Sequence, residues 1–360
     1  RPDIDVIIEL IGGEDGVAFD LCLAALENHK HVVTANKALI AKHGFRLAEL
    51  ASSNQKNLVF EASVAGAIPI LKALKEGLII NNYGNITGIL NGTCNYIITE
   101  MEKSGKDFAT ILASAQKNGY AEADPSFDID GIDTAHKLSI ISSIAYGIKV
   151  SIDNVYVEGI RNINNIDIEY ANDLGYKIKL LGICNINDDG KISQRVHPCM
   201  INKNHPLAKI DDVFNAVVVQ CDAAGQSIFE GRGAGAYPTA SAVIADIIDI
   251  ASRQNIKSFG VSPENLKIAE FTEIADHQSE YYIRIIANDK IGVLSQITTI
   301  FAKNNISLHS VIQRDMVNRE KALIIVKTHR AIEKFVKISI NNLELLNTVI
   351  DVFMIRIENF

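Results

Sequence analysis

From its first residues the chain alternates short unbroken apolar runs with longer stretches in which apolar positions recur every three or four residues. Val6 to Ile11 is a run of the kind carried by strands buried on both faces, whereas Val17, Leu21, Ala24 and Ala25 fall on one helical face within Val17 to Glu27, with Asp15 read as its cap. The two patterns repeat as a strand from His31 to Thr34, a helix from Ala38 to Ser53 and a strand from Leu58 to Glu61. Such alternation predicts a doubly wound sheet whose ligands sit at the carboxyl ends of the strands: Gly12-Gly13, Thr34 to Lys37, and Glu61 to Gly66.

Beyond Pro69 the rhythm changes. A helix from Ile70 to Glu76 and a strand from Ile86 to Leu90 precede helices over Tyr96 to Lys103, Phe108 to Lys117 (capped by Asp107) and Asp133 to Tyr146. Strands near Val155 to Ile160 and Val213 to Gln220 then point to a mixed sheet. After Ser262-Pro263 the order is strand (Tyr281 to Ala287), helix (Gly292 to Lys303), strand (Ile306 to Gln313), strand (Ala322 to Thr328), helix (Ala331 to Ile338), strand (Val349 to Ile357), the ferredoxin-like split motif. The expected fold class is α/β, in three parts. They are an incomplete Rossmann-like doubly wound domain over 1–68, to which 231–255 returns, an α+β domain with a mixed sheet over 69–265, and a ferredoxin-like domain over 279–358.

Composition narrows the chemistry. The 360 residues carry 43 acidic against 35 basic side chains, a net charge of −8, which argues against a reader of phosphate backbones. Five scattered cysteines, none in a C-x-x-C pair, suggest neither a disulfide framework nor a zinc ribbon and fit a reducing cytoplasm. No apolar run approaches the ~20 residues of a membrane span. The chain opens without Met and enters a buried-strand pattern almost at once, so it is expected to be cut inside a domain, N-terminally truncated before its first βαβ segment.

The densest chemistry lies in Gly119 to Lys137, GYAEADPSFDIDGIDTAHK, where Glu122, Asp124, Asp128, Asp130 and Asp133 meet one lysine. Carboxylates so crowded repel unless a cation sits among them. Calcium is a poor fit: aligning Gly131 with the glycine of an EF-hand loop places Ser126 and Lys137 where carboxylates are required. A ligand ammonium fits better. Asp133 and Lys137 are four apart and share a helical face, onto which Glu122 and Asp128 could be brought by the preceding loop. An ordinary surface ion pair has the same spacing, so spacing leaves both readings open.

This segment resembles the substrate-site signature of homoserine dehydrogenases. Thr34-Ala35-Asn36-Lys37, Glu61 to Pro69 (EASVAGAIP) and Gly88 to Tyr96 (GILNGTCNY) resemble the same family in its usual order, and Tyr281 to Ser295 with Asn305 to Gln313 resembles an ACT regulatory domain. The resemblance covers essentially the whole chain. It implies interconversion of aspartate semialdehyde and homoserine with NADP or NAD, in the biosynthesis of threonine, methionine and isoleucine.

Residue roles follow from the same resemblance. Lys137 is implied as proton donor or acceptor and Lys37 as a second catalytic lysine, with Glu122, Asp128, Asp133, Gly92 and Thr93 on the substrate. Gly13, Thr34, Lys37, Gly233 and Gly235 are implied at the cofactor. A monovalent cation, Na⁺ or K⁺, is implied at Glu61, Val64, Gly66 and Ile68. In the ACT domain, Asn288, Gly292 and Gln313 are implied for a threonine effector, and the assembly is expected to be a homodimer or homotetramer. The G-x-G-x-x-G turn that binds pyrophosphate in Rossmann enzymes does not follow the first strand, so weak cofactor binding is expected of this chain. Two other readings therefore stay open: a non-catalytic ACT-bearing amino-acid sensor, and a dehydrogenase for another small carbonyl compound.

Overall fold

The structure, a computed structural model, describes residues 1–252, 255–315 and 320–360; two positions of the expected returning segment, 253 and 254, lie outside the described residues. By contact the chain forms two compact units: residues 1–161, 180–197 and 209–271 make the first, and 162–179, 198–208 and 272–360 the second.

The first unit begins with β1 (Val6–Glu9), α1 (Val17–Glu27), β2 (His31–Thr34), α2 (Lys37–Ser53) and β3 (Leu58–Val59), and the three strands pair in parallel in the order β1-β2-β3. This is the expected α/β alternation. Asp15 does not cap α1, however: Gly16 holds that position with a φ of 69° and no side-chain cap. Asp15 instead pairs with Lys42 and with His43, the latter at 2.7 Å, so the charges of α2 outcompete a local cap. Asn36 does cap α2, accepting from the Leu39 N–H at 3.1 Å.

A short α3 (Ile70–Lys72) runs into a wider turn over Ala73–Gly77, where one continuous helix is expected from the sequence. Then come β4 (Tyr83–Ile89), α4 (Gly92–Ser104), α5 (Phe108–Lys117), α6 (Ser126–Ile129), α7 (Ile132–Tyr146) and β5 (Tyr156–Val157). Helix α4 starts four residues earlier than the expected Tyr96 because Asn91 caps it, accepting from the Cys94 N–H at 2.8 Å. Strand β5 is far shorter than the expected Val155 to Ile160.

In the second unit α8 (Asn165–Asp173) is closed by a capping box between Asn164 and Asp167. Two eleven-residue strands, β6 (Tyr176–Ile186) and β7 (Ile192–Asn202), were not expected from the pattern. In the first unit β4 pairs antiparallel with β6 and with β8 (Phe214–Cys221), which in turn pairs with β9 (Gly225–Arg232). Helix α9 (Ala236–Ser252) then packs Ala242 and Val243 against Val33, Val59 and Ala62, on the parallel sheet.

The second unit ends in β10 (Gln278–Asn288), α10 (Val293–Lys303), β11 (Leu308–Asp315), β12 (Lys321–Thr328), β13 (Ala331–Ile332), α11 (Glu333–Glu344) and β14 (Val349–Glu358). The order β11-β12-β10-β14, antiparallel throughout, is the ferredoxin-like arrangement. Tyr281, Ile283, Ile285, Ile297, Phe301 and Val336 fill the core between its sheet and helices. Below α11 the fully buried Arg356 donates from Nε to Glu333 at 2.7 Å. No helix among the described residues is long and apolar enough to cross a membrane.

Candidate active site

Three elements of the first unit converge on one carboxylate. Asp133, in the first turn of α7 and 2% exposed, accepts from Lys37 Nζ at 2.9 Å through Oδ1 and from Lys137 Nζ at 2.7 Å through Oδ2. Asn91, the cap of α4, adds a third donor, its Nδ2 reaching Asp133 Oδ2 at 2.8 Å. Burial opposes ionisation of Asp133, but the charges of Lys137 and Lys37 and their hydrogen bonds outweigh it, holding the carboxyl well below the usual carboxylate range.

The two lysines are not equivalent. Lys137 Nζ spends a second N–H on the Leu90 carbonyl at 2.7 Å, so of the three donors of an ammonium one is left for a ligand. Its side chain is nearly enclosed, whereas that of Lys37 is 33% exposed and its ammonium lies over the Phe127 ring, 5.5 Å from the centroid. Asp128 faces the same place from α6: its oxygens accept from Asn91 Nδ2 at 2.8 Å and from the Thr93 hydroxyl at 3.1 Å. The result is a half-buried carboxylate beside two ammonium groups, which suits a small ligand carrying both a cation and a reactive oxygen.

The rest of the acid-rich loop finds its partners within the protein. Asp130 pairs with Arg161, and Asp124 accepts from the Ser126 N–H at 3.1 Å. Glu122 departs from the expectation that it joins the face of Asp133: its side chain is exposed, it pairs with neither lysine among the described residues, and Gln116 Nε2 instead fixes its backbone carbonyl at 3.0 Å. The loop satisfies its own backbone there and carries the carboxylate outward. Thr93 is in part committed as well, donating to the Tyr120 carbonyl at 2.8 Å. Gly92 is the first residue of α4, and a Cβ on it would stand 2.7 Å from the Val213 carbonyl, so close approach to β8 requires the glycine.

A cavity of about 590 Å³ opens at the carboxyl ends of β1 and β2, lined by Ile8, Ile11, Gly12, Ala35, Asn36 and Gly235 among others. Its mainly apolar walls suit a flat ring. Of the residues expected at the cofactor, Gly235 lines this cavity, while Gly13 and Thr34 stand behind it. The Gly13 carbonyl accepts from Asn36 Nδ2 at 2.6 Å, and the buried Thr34 hydroxyl bridges the Asn36 N–H, at 2.9 Å, and Glu9, at 2.6 Å. Glu9 is a further residue that the sequence reading did not single out. Fully buried at the end of β1, it accepts the N–H groups of Ile11 and Gly12 at 2.6 and 3.0 Å and so shapes the loop that borders the cavity. A carboxylate ending an apolar strand is its sequence signal.

Asn215 on β8 was also unmarked in that reading. It is 1% exposed, and neither its amide nitrogen nor its amide oxygen has a hydrogen-bond partner. Leaving such a group unpaired costs about 1–3 kcal/mol. It packs so closely on Gly233 that a Cβ there would fall 2.0 Å from its Nδ2, and a Cβ on Gly92 would fall 3.5 Å from its Oδ1.

At the start of α3, the buried Glu61 accepts the N–H groups of Leu71 and Lys72 at 2.8 and 2.9 Å, and burial pushes its carboxyl up to about 7. The loop after it turns through Ala65 and Gly66, with φ of 55° and 56°. Among the described residues no hydrogen bond reaches the carbonyls of Val64 or Gly66, whereas that of Ile68 accepts from the Ile70 N–H at 2.8 Å. Val64 and Gly66 are both buried, and carbonyl oxygens are donors of the kind a hard monovalent cation takes.

Comparison with known proteins agrees with this architecture. Residues 69–248 match the family described as homoserine dehydrogenase, residues 1–61 match its NAD binding domain, and residues 281–334 match the ACT domain. A homoserine dehydrogenase from Neisseria gonorrhoeae is 43% identical over 366 residues, covering 100% of this chain and 84% of that protein. The crystal structure of one from Thiobacillus denitrificans superposes with a TM-score of 0.93 at 42% identity, covering 99% of this chain and 83% of that one. A hyperthermophilic archaeal homoserine dehydrogenase in complex with NADPH is 30% identical, with a TM-score of 0.60 over 69% of this chain and 71% of its own.

Proposed function

This chain belongs to the homoserine dehydrogenase family, and we propose that its oxidoreductase chemistry centres on Asp133 holding Lys37 and Lys137 against the reacting oxygen of L-aspartate 4-semialdehyde or L-homoserine. The observation that carries this reading is the single buried carboxylate gripping both ammonium groups. NADP(H) or NAD(H), when bound, exchanges a hydride with the substrate's terminal carbon. In the reduction direction negative charge grows on the carbonyl oxygen, and the remaining N–H of Lys137 stabilises and then protonates it. Lys37, held at the other oxygen of Asp133, adds a second positive charge at the same place. Asp128 takes the α-ammonium group, with the Gly92–Thr93 turn beside it. In the oxidation direction neutral Lys137 receives the hydroxyl proton.

An Asp128→Asn substitution removes a partner that the substrate meets in its ground state. The KM for L-homoserine should therefore rise tenfold or more with kcat little changed, as steady-state kinetics will show; an unchanged KM would leave the ammonium without a site.

Na⁺ or K⁺ belongs at Glu61, Val64 and Gly66, with Ile68 closing the loop. Because the folded chain raises the Glu61 carboxyl from 4.5 to about 7, it keeps a proton there that the unfolded chain has released. Stability contributed by this group is thus present at low pH and falls as pH rises from about 4.5 through about 7. A bound cation reverses the penalty by favouring the carboxylate. Potassium chloride should raise the thermal midpoint more at pH 8 than at pH 5, against tetramethylammonium chloride at equal ionic strength, and Glu61→Gln should abolish the difference.

In the ACT domain an amino-acid effector, threonine, would meet the turn from Asn288 to Gly292. Gly292 precedes α10 with a φ of 89°, and Gln313 is exposed on the edge strand β11.

A further inference from the structure

We infer that Asn91 is a positioning residue that keeps the anchor of the substrate's ammonium group in register with the proton-transfer group, by tying Asp128 and Asp133 together through one side-chain amide. The inference rests on the reading of Asp128 and Lys137 given above. Asn91 is 5% exposed, and its Nδ2 donates to Asp128 Oδ1 and to Asp133 Oδ2, each at 2.8 Å. Both N–H groups of the amide are thus spent, one on each acid. Its Oδ1 accepts the Cys94 N–H at 2.8 Å as the cap of α4, and this settles which way the amide faces: turned over, it would set its oxygen against two carboxylates and its N–H groups against a backbone N–H. The residue before it is tied to the same place, since the Leu90 carbonyl accepts from Lys137 Nζ at 2.7 Å.

The two acids differ in what else holds them. Asp133 has the ammonium groups of Lys37 and Lys137 as partners. The other donor to the Asp128 carboxylate among the described residues, the Thr93 hydroxyl at 3.1 Å, has a single hydrogen that it shares with the Tyr120 carbonyl at 2.8 Å. Asn91 is therefore the firmest tie of Asp128, and a neutral one. It brings an oxygen of each carboxylate within reach of a single nitrogen, where like charges would otherwise push the acids apart. An ammonium group bound on Asp128 is in this way held at a fixed separation from the Lys137 Nζ that Asp133 grips. Loss of that register falls on the chemical step. The ammonium can still bind Asp128, but the carbonyl oxygen at the other end of the substrate no longer meets the Lys137 N–H, and a misplacement of about 1 Å is worth about a hundredfold in rate. A substrate without an ammonium group has no anchor to keep in register, and it loses little.

The test is steady-state kinetics on the full-length protein at saturating NADPH, with L-aspartate 4-semialdehyde and with 4-oxobutanoate, which lacks the ammonium group. In Asn91→Ser the hydroxyl oxygen still caps α4, but the shorter side chain cannot span both acids. Its kcat for the semialdehyde should fall about 10- to 100-fold with KM within about threefold, while kcat/KM for 4-oxobutanoate should change by less than about threefold. Asn91→Gly, which a helix cap tolerates nearly as well, should show the same one-sided loss, and it carries the test should the serine variant fail to fold. Equal losses for the two aldehydes would make Asn91 a support of Asp133 or of the fold alone and would overturn the inference. A higher KM for the semialdehyde at unchanged kcat would overturn it too, as would no change at all; each of these leaves the underlying reading of the site standing. Comparable kcat/KM values for the two aldehydes in the unsubstituted protein would instead sink that reading, and this inference with it.

Discussion

Lys137→Met lowers kcat for semialdehyde reduction by about 10²–10⁴-fold, the range expected when a positioned proton donor is removed. The methionine keeps most of the buried stem, and Asp133 retains Lys37 and Asn91 as partners, so folding survives. KM for the semialdehyde should change little, because the lost N–H acts on charge that exists only as hydride arrives. Stopped-flow and steady-state rates with the deuterated nucleotide would check this: the chemical step becomes rate-limiting in the variant, and the primary isotope effect on kcat grows. A loss of less than tenfold would move the proton-transfer role to Lys37.

Asp133→Asn has a larger structural effect. Two ammonium groups that shared one carboxylate are left facing each other, with Lys137 nearly buried and able to shed little of its charge into water. Breaking a buried pair costs about 3–5 kcal/mol, and the partial exposure of Lys37 places this case toward the lower end. Urea denaturation should show that loss at neutral pH, together with loss of turnover. The pH dependence has a definite sign. Since the Asp133 carboxyl is held below its ordinary value of 3.8, its contribution is complete above that value and is lost as pH falls through the folded one. The gap in stability between the unsubstituted protein and the Asp133→Asn variant should accordingly close on acidification; a gap that persists in strong acid would mean packing, not charge, is at stake.

Much of this site is legible in the sequence, and the reasons are local. Asp133 and Lys137 stand four apart on a helix, so their pairing follows from helical geometry. The caps Asn36 and Asn91 went unread, and α4 accordingly begins at Gly92 rather than at the expected Tyr96. Lys37 was assigned to the catalytic centre by resemblance, but nothing in the spacing could show that it shares a carboxylate with Lys137, since it comes from 96 positions before Asp133 in the chain. Arg161 as the partner of Asp130 was hidden for the same reason. The acid crowding that seemed to call for a bound cation is relieved largely by these distant side chains.

The fold shows the same division. Alternation and the βαββαβ order were legible because each element buries one apolar stripe. Strands β6 and β7 were not, because buried Lys179, Gln194, Arg195 and His197 break the apolar period in both. Their burial is set by neighbours elsewhere in the fold, which a period along one segment cannot report. Asn215 was overlooked in an apolar strand for the opposite reason, as a single polar interruption in Phe214 to Val219.

The central claim is that the Asp133–Lys137–Lys37 cluster works on an amino-acid substrate whose ammonium group is held by the adjoining carboxylate. Its most direct test is kcat/KM for L-aspartate 4-semialdehyde relative to its deaminated analogue, 4-oxobutanoate, with the full-length protein and saturating NADPH. The account predicts a preference of about 100-fold or more for the amino acid, the worth of about two charge-assisted hydrogen bonds. Comparable values for the two aldehydes would contradict it.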